Sequence, residues 1–205
     1  TLPWTDDGRR LLPSKLYFEY TTEMRKLKSE LDQAVDAFVK VYPSLVQSER
    51  RRLGQLYDPN DYPQDIRSRF GVLLSPEPVP AANDFRVDIG PDIAKVREEL
   101  ERATQERQTK ALNDCWTRIK DVVSKVHERL SDPDAIFRDS LIENVENLAA
   151  VLSGLNFTDD PTIEAARLDL TNMIMPPDAI RRSKTNRKKV ADAAADILAK
   201  YPWTA

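Results

Sequence analysis

The stretch YFEYTTEMRKLKSELDQAVDAFVKVYPSL, residues 17–45, decides the fold class. Tyr17, Tyr20, Met24, Leu27, Leu31, Ala34, Phe38, Val41 and Leu45 recur at alternating steps of three and four, the 3.5-residue repeat of a coiled-coil seam. Charged side chains fill the intervening positions, where Glu23 with Lys26 and Lys26 with Glu30 are spaced to pair weakly across one turn. Pro43 removes one amide and crowds the preceding turn, so a kink or a fresh start is expected there. A basic segment, Glu49 to Leu53, then leads to Gly54.

Working outward, residues 58–91 change texture. Asp58-Pro59-Asn60-Asp61-Tyr62-Pro63 is turn chemistry, and the three prolines at 76, 78 and 80 exclude a helix. Gly71-Val72-Leu73-Leu74 and Phe85-Arg86-Val87-Asp88-Ile89 have strand composition, which predicts a small β insert. A second long helix is expected over 92–131, opened by Pro91 and Asp92 and closed near Leu130 by Ser131-Asp132-Pro133-Asp134. Its seam changes phase: Ile93, Val96, Leu100 and Ala103 precede a polar stretch, and Leu112, Trp116, Ile119, Val123, Val126 and Leu130 follow it. A helix that projects from its core behaves this way. Three further helices are expected over 134–153 (with Ile136, Phe137, Leu141, Val145, Leu148 and Leu152 inward), over 161–174, and from Pro176-Pro177-Asp178 to about Lys200.

The expected fold is therefore mainly α: a long antiparallel helical hairpin with a small β insert, followed by a C-terminal helical bundle. Its divisions are 1–57, 58–91, 92–131 and 132–205, within one continuous unit.

Composition limits the chemistry. The 205 residues hold one Cys, one His and five Gly, with 31 basic against 34 acidic side chains and a net charge of −3. One Cys and one His supply neither a disulfide nor a four-ligand Cys/His zinc site, and no glycine-rich phosphate loop occurs. No apolar run approaches the length of a membrane span. The chain begins at Thr1 with no basic and apolar leader, which reads as a trimmed or processed start, and the cytoplasm is the expected compartment.

The overall charge conceals an asymmetry. Residues 134–180 carry nine acids against Arg138 and Arg167, a net of −7, and residues 181–205 reverse this to +5. Arg181, Arg182, Lys184, Arg187, Lys188 and Lys189 form the densest basic cluster, a candidate contact for nucleic-acid phosphates or for the acidic segment of the same chain. His127 beside a helix seam reads as a packed or flanking residue, and Cys115 next to Trp116 as a small buried hydrophobe. Asp6-Asp7, Glu98-Glu99 and Asp159-Asp160 read as turn, surface and cap residues rather than metal ligands, because adjacent side chains on a helix diverge. No catalytic residue, metal or cofactor is assigned.

Several local strings carry a resemblance. Trp4-Thr5-Asp6-Asp7-Gly8-Arg9-Arg10-Leu11-Leu12-Pro13, Leu53-Gly54 with Asp61-Tyr62-Pro63, Asp84-Phe85-Arg86-Val87, Phe137-Arg138-Asp139-Ser140-Leu141 with Glu143-Asn144, and Leu155-Asn156 with Asp160-Pro161 span nearly the whole chain. They resemble an uncharacterised family of bacterial, phage and mobile-element proteins often encoded beside MoxR/CobS-like AAA+ ATPases. The resemblance implies a bacterial host cell and an ATPase neighbour, and carries over no functional residue. Trp4, Arg9, Arg10 and Arg86 are the possible partner contacts within these strings.

The expected function is that of a non-enzymatic helical interaction or scaffold protein, self-associating through its seams or serving as an oligomeric accessory to an AAA+ ATPase. The alternatives are a nucleic-acid-binding accessory using the basic last helix, for single-stranded DNA or recombination, and an enzyme of unrecognised class.

Overall fold

The computed structural model describes residues 1–79, 93–201 and 203. Among them are six α-helices: α1 (Tyr17–Leu53), α2 (Ile93–Ser131), α3 (Ser140–Leu155), α4 (Pro161–Met173), α5 (Pro177–Arg182) and α6 (Lys184–Lys200). The described strands are β1 (Leu2–Pro3) and β2 (Arg10–Leu11), an antiparallel pair with Leu2 opposite Leu11. The mainly α expectation holds.

The chain divides into two compact units, residues 17–79 and residues 1–16 with 80–205. The two long helices belong to different units.

In the larger unit the core begins at Ala111. Ala111, Cys115, Ile119, Val123, Val126 and Leu130, three or four residues apart on α2, are fully or almost fully buried and pack against α6 and α3. Facing them are Ile142, Val145 and Leu152 of α3, Ile163 and Leu170 of α4, and Val190, Ala194 and Ile197 of α6. Each large aliphatic side chain so buried contributes about 1.5–3 kcal/mol. The projecting half of α2 is the polar part: its described side chains from 94 to 110 include none that is buried. An aromatic cluster of Trp116, Tyr201 and Trp203, with ring centroids 5.5–6.2 Å apart, seals the chain after α6.

The quoted strings have structural roles here. Asp6-Asp7-Gly8 is the turn of the small hairpin, with Gly8 at φ +92°, and it buries Leu2 and Trp4. Buried Asn156 donates to the Asp160 carbonyl and accepts from the Asp160 amide, both at 2.9 Å, while the Asp160 carboxylate caps α4 at the Thr162 amide (2.7 Å) with Pro161 next. Gly154 admits Leu16 against α3, since a Cβ at that position would lie 2.3 Å from Leu16 Cδ2.

Several boundaries differ from the sequence expectations. Helix α1 runs through Pro43 without a break and stops at Gly54, whose φ of +54° terminates it; one missing amide bond is tolerated in a helix of 37 residues. Residues 71–74 form no strand; 58–79 carry only single 3₁₀ turns at Pro59–Asp61 and Arg67–Arg69. The expected partner strand, 85–89, and the opening of the second long helix at Pro91-Asp92 lie outside the described residues. Residues 134–139 are a loop rather than the first turns of α3. The last expected helix is two helices, broken at Ser183, whose side chain caps α6 at the Asn186 amide (3.2 Å).

In the smaller unit, α1 buries only Thr21 and Val35. The return segment covers one stripe of it: Phe70 packs edge-on against Phe38 at 5.8 Å, Phe38 tilts against Tyr42, and Arg67 pairs with Asp36. Half-buried Val39, Tyr42 and Val46 continue that stripe.

Candidate interaction surfaces

The basic cluster separates into two kinds of residue. Arg187 is buried and donates to four carbonyls at the end of α2 and in the following loop: Arg129 (2.7 Å), Leu130 (3.2 Å), Asp132 (2.6 Å) and Ala135 (2.7 Å). The last carbonyls of a helix have no partner within it, and the guanidinium supplies one while its charge complements the negative end of the α2 dipole. Arg181 pairs with Asp139 and Asp178, donates to the Phe137 carbonyl (3.3 Å) and lies 4.9 Å over the Phe137 ring, with Arg187 at 5.7 Å. These two arginines explain why 134–139 is not helical. The Ala135 and Phe137 carbonyls bind guanidinium groups instead of amides, and Phe137 is held in the core beneath them.

Arg182, Lys184, Lys188 and Lys189 remain exposed and form no ion pair among the described residues. The acidic and basic segments do meet at Asp139–Arg181 and at Asp169–Lys200 (2.7 Å), so part of the charge asymmetry is neutralised within the chain.

The residues of the N-terminal string are less available than expected. Trp4 is buried and belongs to the core rather than to a contact surface. Arg9 pairs with Asp7 (3.3 Å) and Arg10 donates to the Thr1 carbonyl (3.2 Å), both bracing the hairpin from an exposed position. Arg86 lies outside the described residues.

The least covered apolar surface is on α1. Residues 25–30 are exposed on every face of the helix. Leu27, Val41 and Leu45 are 54, 49 and 48% exposed, with Ala34 exposed between them. The return segment covers Phe38 of the seam together with the adjoining stripe through Val35, while Leu27, Ala34, Val41 and Leu45 of the seam stay open. The sequence marks that second stripe as Val35, Val39, Tyr42 and Val46, and the aromatics Tyr57, Tyr62 and Phe70 mark the segment that covers it. Ile136, expected in a core seam, is 92% exposed.

A groove of about 270 Å³ opens between α4 and α6, with Met173, Ala193 and Ile197 among its walls and Asp169 and Asp196 at its edge. Burial pushes the Asp169 carboxyl up, but hydrogen bonds from Lys200 and Tyr201 outweigh it and hold the group below the ordinary carboxylate range.

The remaining chemical candidates are structural. His127 Nδ1 lies 3.2 Å from the Ala191 carbonyl, which can only accept, so Nδ1 carries the proton and ties α2 to α6; Ser131 Oγ lies 3.2 Å from the same nitrogen. His127→Ala is expected to lower stability by about 1 kcal/mol in urea unfolding, the worth of one hydrogen bond. Cys115 is fully buried, and burial, followed by the Asp114 charge, pushes its thiol up to about 11. It should resist a thiol reagent at pH 8 in the native protein and react with one equivalent once urea unfolds the chain. Among the described residues no group of three or more His, Cys, Asp or Glu gathers to hold a metal ion, and no helix is long and apolar enough to cross a membrane.

No protein-family model, curated protein or solved structure matches this chain.

Proposed function

We propose that this protein is a non-enzymatic helical interaction protein that self-associates through α1. The carrying observation is the open row Leu27, Ala34, Val41 and Leu45 on a helix that has only two buried residues. These positions recur at seven and four residues, the spacing at which one helix receives the knobs of another. Pairing two such rows removes aliphatic surface from water on both chains, while the Val35–Phe38 stripe stays occupied by Phe70. A chain assembled this way suits an accessory role beside an AAA+ ATPase, the partner implied by the family resemblance. Pull-down from a bacterial host lysate tests that role: an ATPase retained after nuclease treatment supports it, and material lost with nuclease supports a nucleic-acid contact.

The nucleic-acid reading rests on Arg182, Lys184, Lys188 and Lys189 alone, because Arg181 and Arg187 are engaged within the fold. The exposed Asp132 and Asp134 of the loop clamped by Arg187 oppose a polyanion approaching that end of α6. A salt titration of DNA and RNA binding separates the readings, since phosphate contacts weaken steeply as salt rises.

A further inference from the structure

The open row of α1 has two unlike flanks. On one side Lys28, Val35, Tyr42 and Glu49 recur every seven residues, and each is engaged within the chain. Lys28 pairs with Asp32, Val35 is buried, Tyr42 is half-buried against Phe38, and Glu49 pairs with Arg52. On the other side Glu23, Glu30, Ala37, Ser44 and Arg51 recur at the same interval, and all five are exposed. Glu23, Glu30 and Arg51 form no ion pair among the described residues, where the pairs of α1 are Lys28–Asp32, Glu49–Arg52 and Asp36–Arg67. The other charges on this side, Glu19, Lys26 and Lys40, are exposed and lie further round the helix from the row.

The open flank is self-complementary about Ala37. Glu30 and Ser44 stand seven residues to either side of it, and Glu23 and Arg51 fourteen. A parallel pair of helices sets the open flank of one against the engaged flank of the other, where Val35 and Tyr42 are already covered. The attraction it offers, Glu23 to Lys28, calls on a lysine already paired with Asp32. An antiparallel pair sets open flank against open flank. Centred on Ala37, it brings Glu23 of each copy level with Arg51 of the other, Leu27 beside Leu45, and Ala34 beside Val41. The small side chains of Ala34, Ala37 and Ser44 let the two axes approach closely at the middle.

We infer that the partner of α1 is a second copy of this chain in antiparallel orientation, with a two-fold axis beside Ala37 and Glu23 of each copy paired with Arg51 of the other. This rests on α1 being the surface of self-association. Such an interface is isologous and closes as a dimer.

Disulfide trapping in the full-length chain reads the orientation. At about 10 μM under mild oxidation, an equimolar mixture of Leu27→Cys and Leu45→Cys proteins is expected to give the mixed disulfide as its main product. Leu27→Cys alone is expected to give none, because the two copies of position 27 stand about 30 Å apart along an antiparallel pair, too far to bridge. Cys115 is fully buried, and peptide mapping verifies that it stays out of the reaction. Charge reversal is the second measurement. Glu23→Arg and Arg51→Glu proteins are each expected to self-associate about tenfold more weakly than the unmodified chain, and a mixture of the two to recover the loss, since each mixed pair sets opposite charges together. All four substituted side chains are exposed, and circular dichroism checks that each variant folds. A Leu27→Cys protein that cross-links to itself, a cysteine mixture without the mixed disulfide, or a charge-reversed mixture that associates no better than its components overturns the antiparallel arrangement and leaves self-association through α1 standing. An unmodified chain that stays monomeric overturns both.

Discussion

Arg187→Ala is expected to destabilise the protein by about 3–5 kcal/mol, a large part of the 5–15 kcal/mol that holds a typical domain together. The substitution removes more than a charge. Four carbonyls, two of them from the end of α2, lose a donor in a buried or part-buried setting, although the Asp132 carbonyl keeps the Ala135 amide, and an unsatisfied buried group carries a desolvation cost of about 1–3 kcal/mol. Some become accessible to water as the loop relaxes, which keeps the total below a simple sum. The Phe137 ring loses one of its two guanidinium neighbours as well. Arg187→Lys should recover little, because an ammonium on a flexible stem cannot reproduce the planar fork that reaches Leu130 through Nε and three other carbonyls through Nη2. Lys188→Ala, one residue on and exposed, should change stability by less than about 0.5 kcal/mol. Urea unfolding of the three variants checks the set. Equal effects at 187 and 188 would mean that the basic cluster is a solvated patch throughout.

The triple substitution Leu27→Glu, Val41→Glu and Leu45→Glu is expected to act in the opposite way, with little change in thermal stability and a large change in association. About half of each side chain is already in water, so folding gains little from these positions. Pairing two α1 rows would remove the exposed half of each, about 1 kcal/mol per side chain on the area scale. Three positions on each of two chains amount to about 6 kcal/mol, and because the entropy of association is common to both proteins, half of that already corresponds to a 100-fold weakening when they become charged. Repulsion between the introduced glutamates works in the same direction.

The helical character of the chain was legible because the 3.5-residue repeat and the Asp-Pro and Pro-Pro-Asp punctuation are local. Asp160-Pro161 caps α4 at the residue where the sequence places it. Three other features depend on tertiary partners. Apolar residues 136 and 137 look alike in sequence, yet Phe137 is buried and Ile136 exposed, because Arg181 and Arg187 bind the loop carbonyls around them. No helical periodicity reports that a guanidinium forty or more residues later will compete for a backbone carbonyl. In the basic cluster, Arg187 and Lys188 are adjacent and chemically similar, and only the helical phase of α6, which puts Val190, Ala191 and Ala194 inward, separates the buried one from the exposed one. On α1 two apolar stripes overlap at Phe38, and only the packing of Phe70 on that ring separates the covered stripe from the open one.

Sedimentation equilibrium of the unmodified chain beside the Leu27, Val41 and Leu45 triple variant, at about 10 μM, tests α1 as the assembly surface most directly. Dimers or larger species for the unmodified chain and monomers for an equally folded variant are the predicted result. A monomeric unmodified chain, or a variant that assembles equally well, would contradict it.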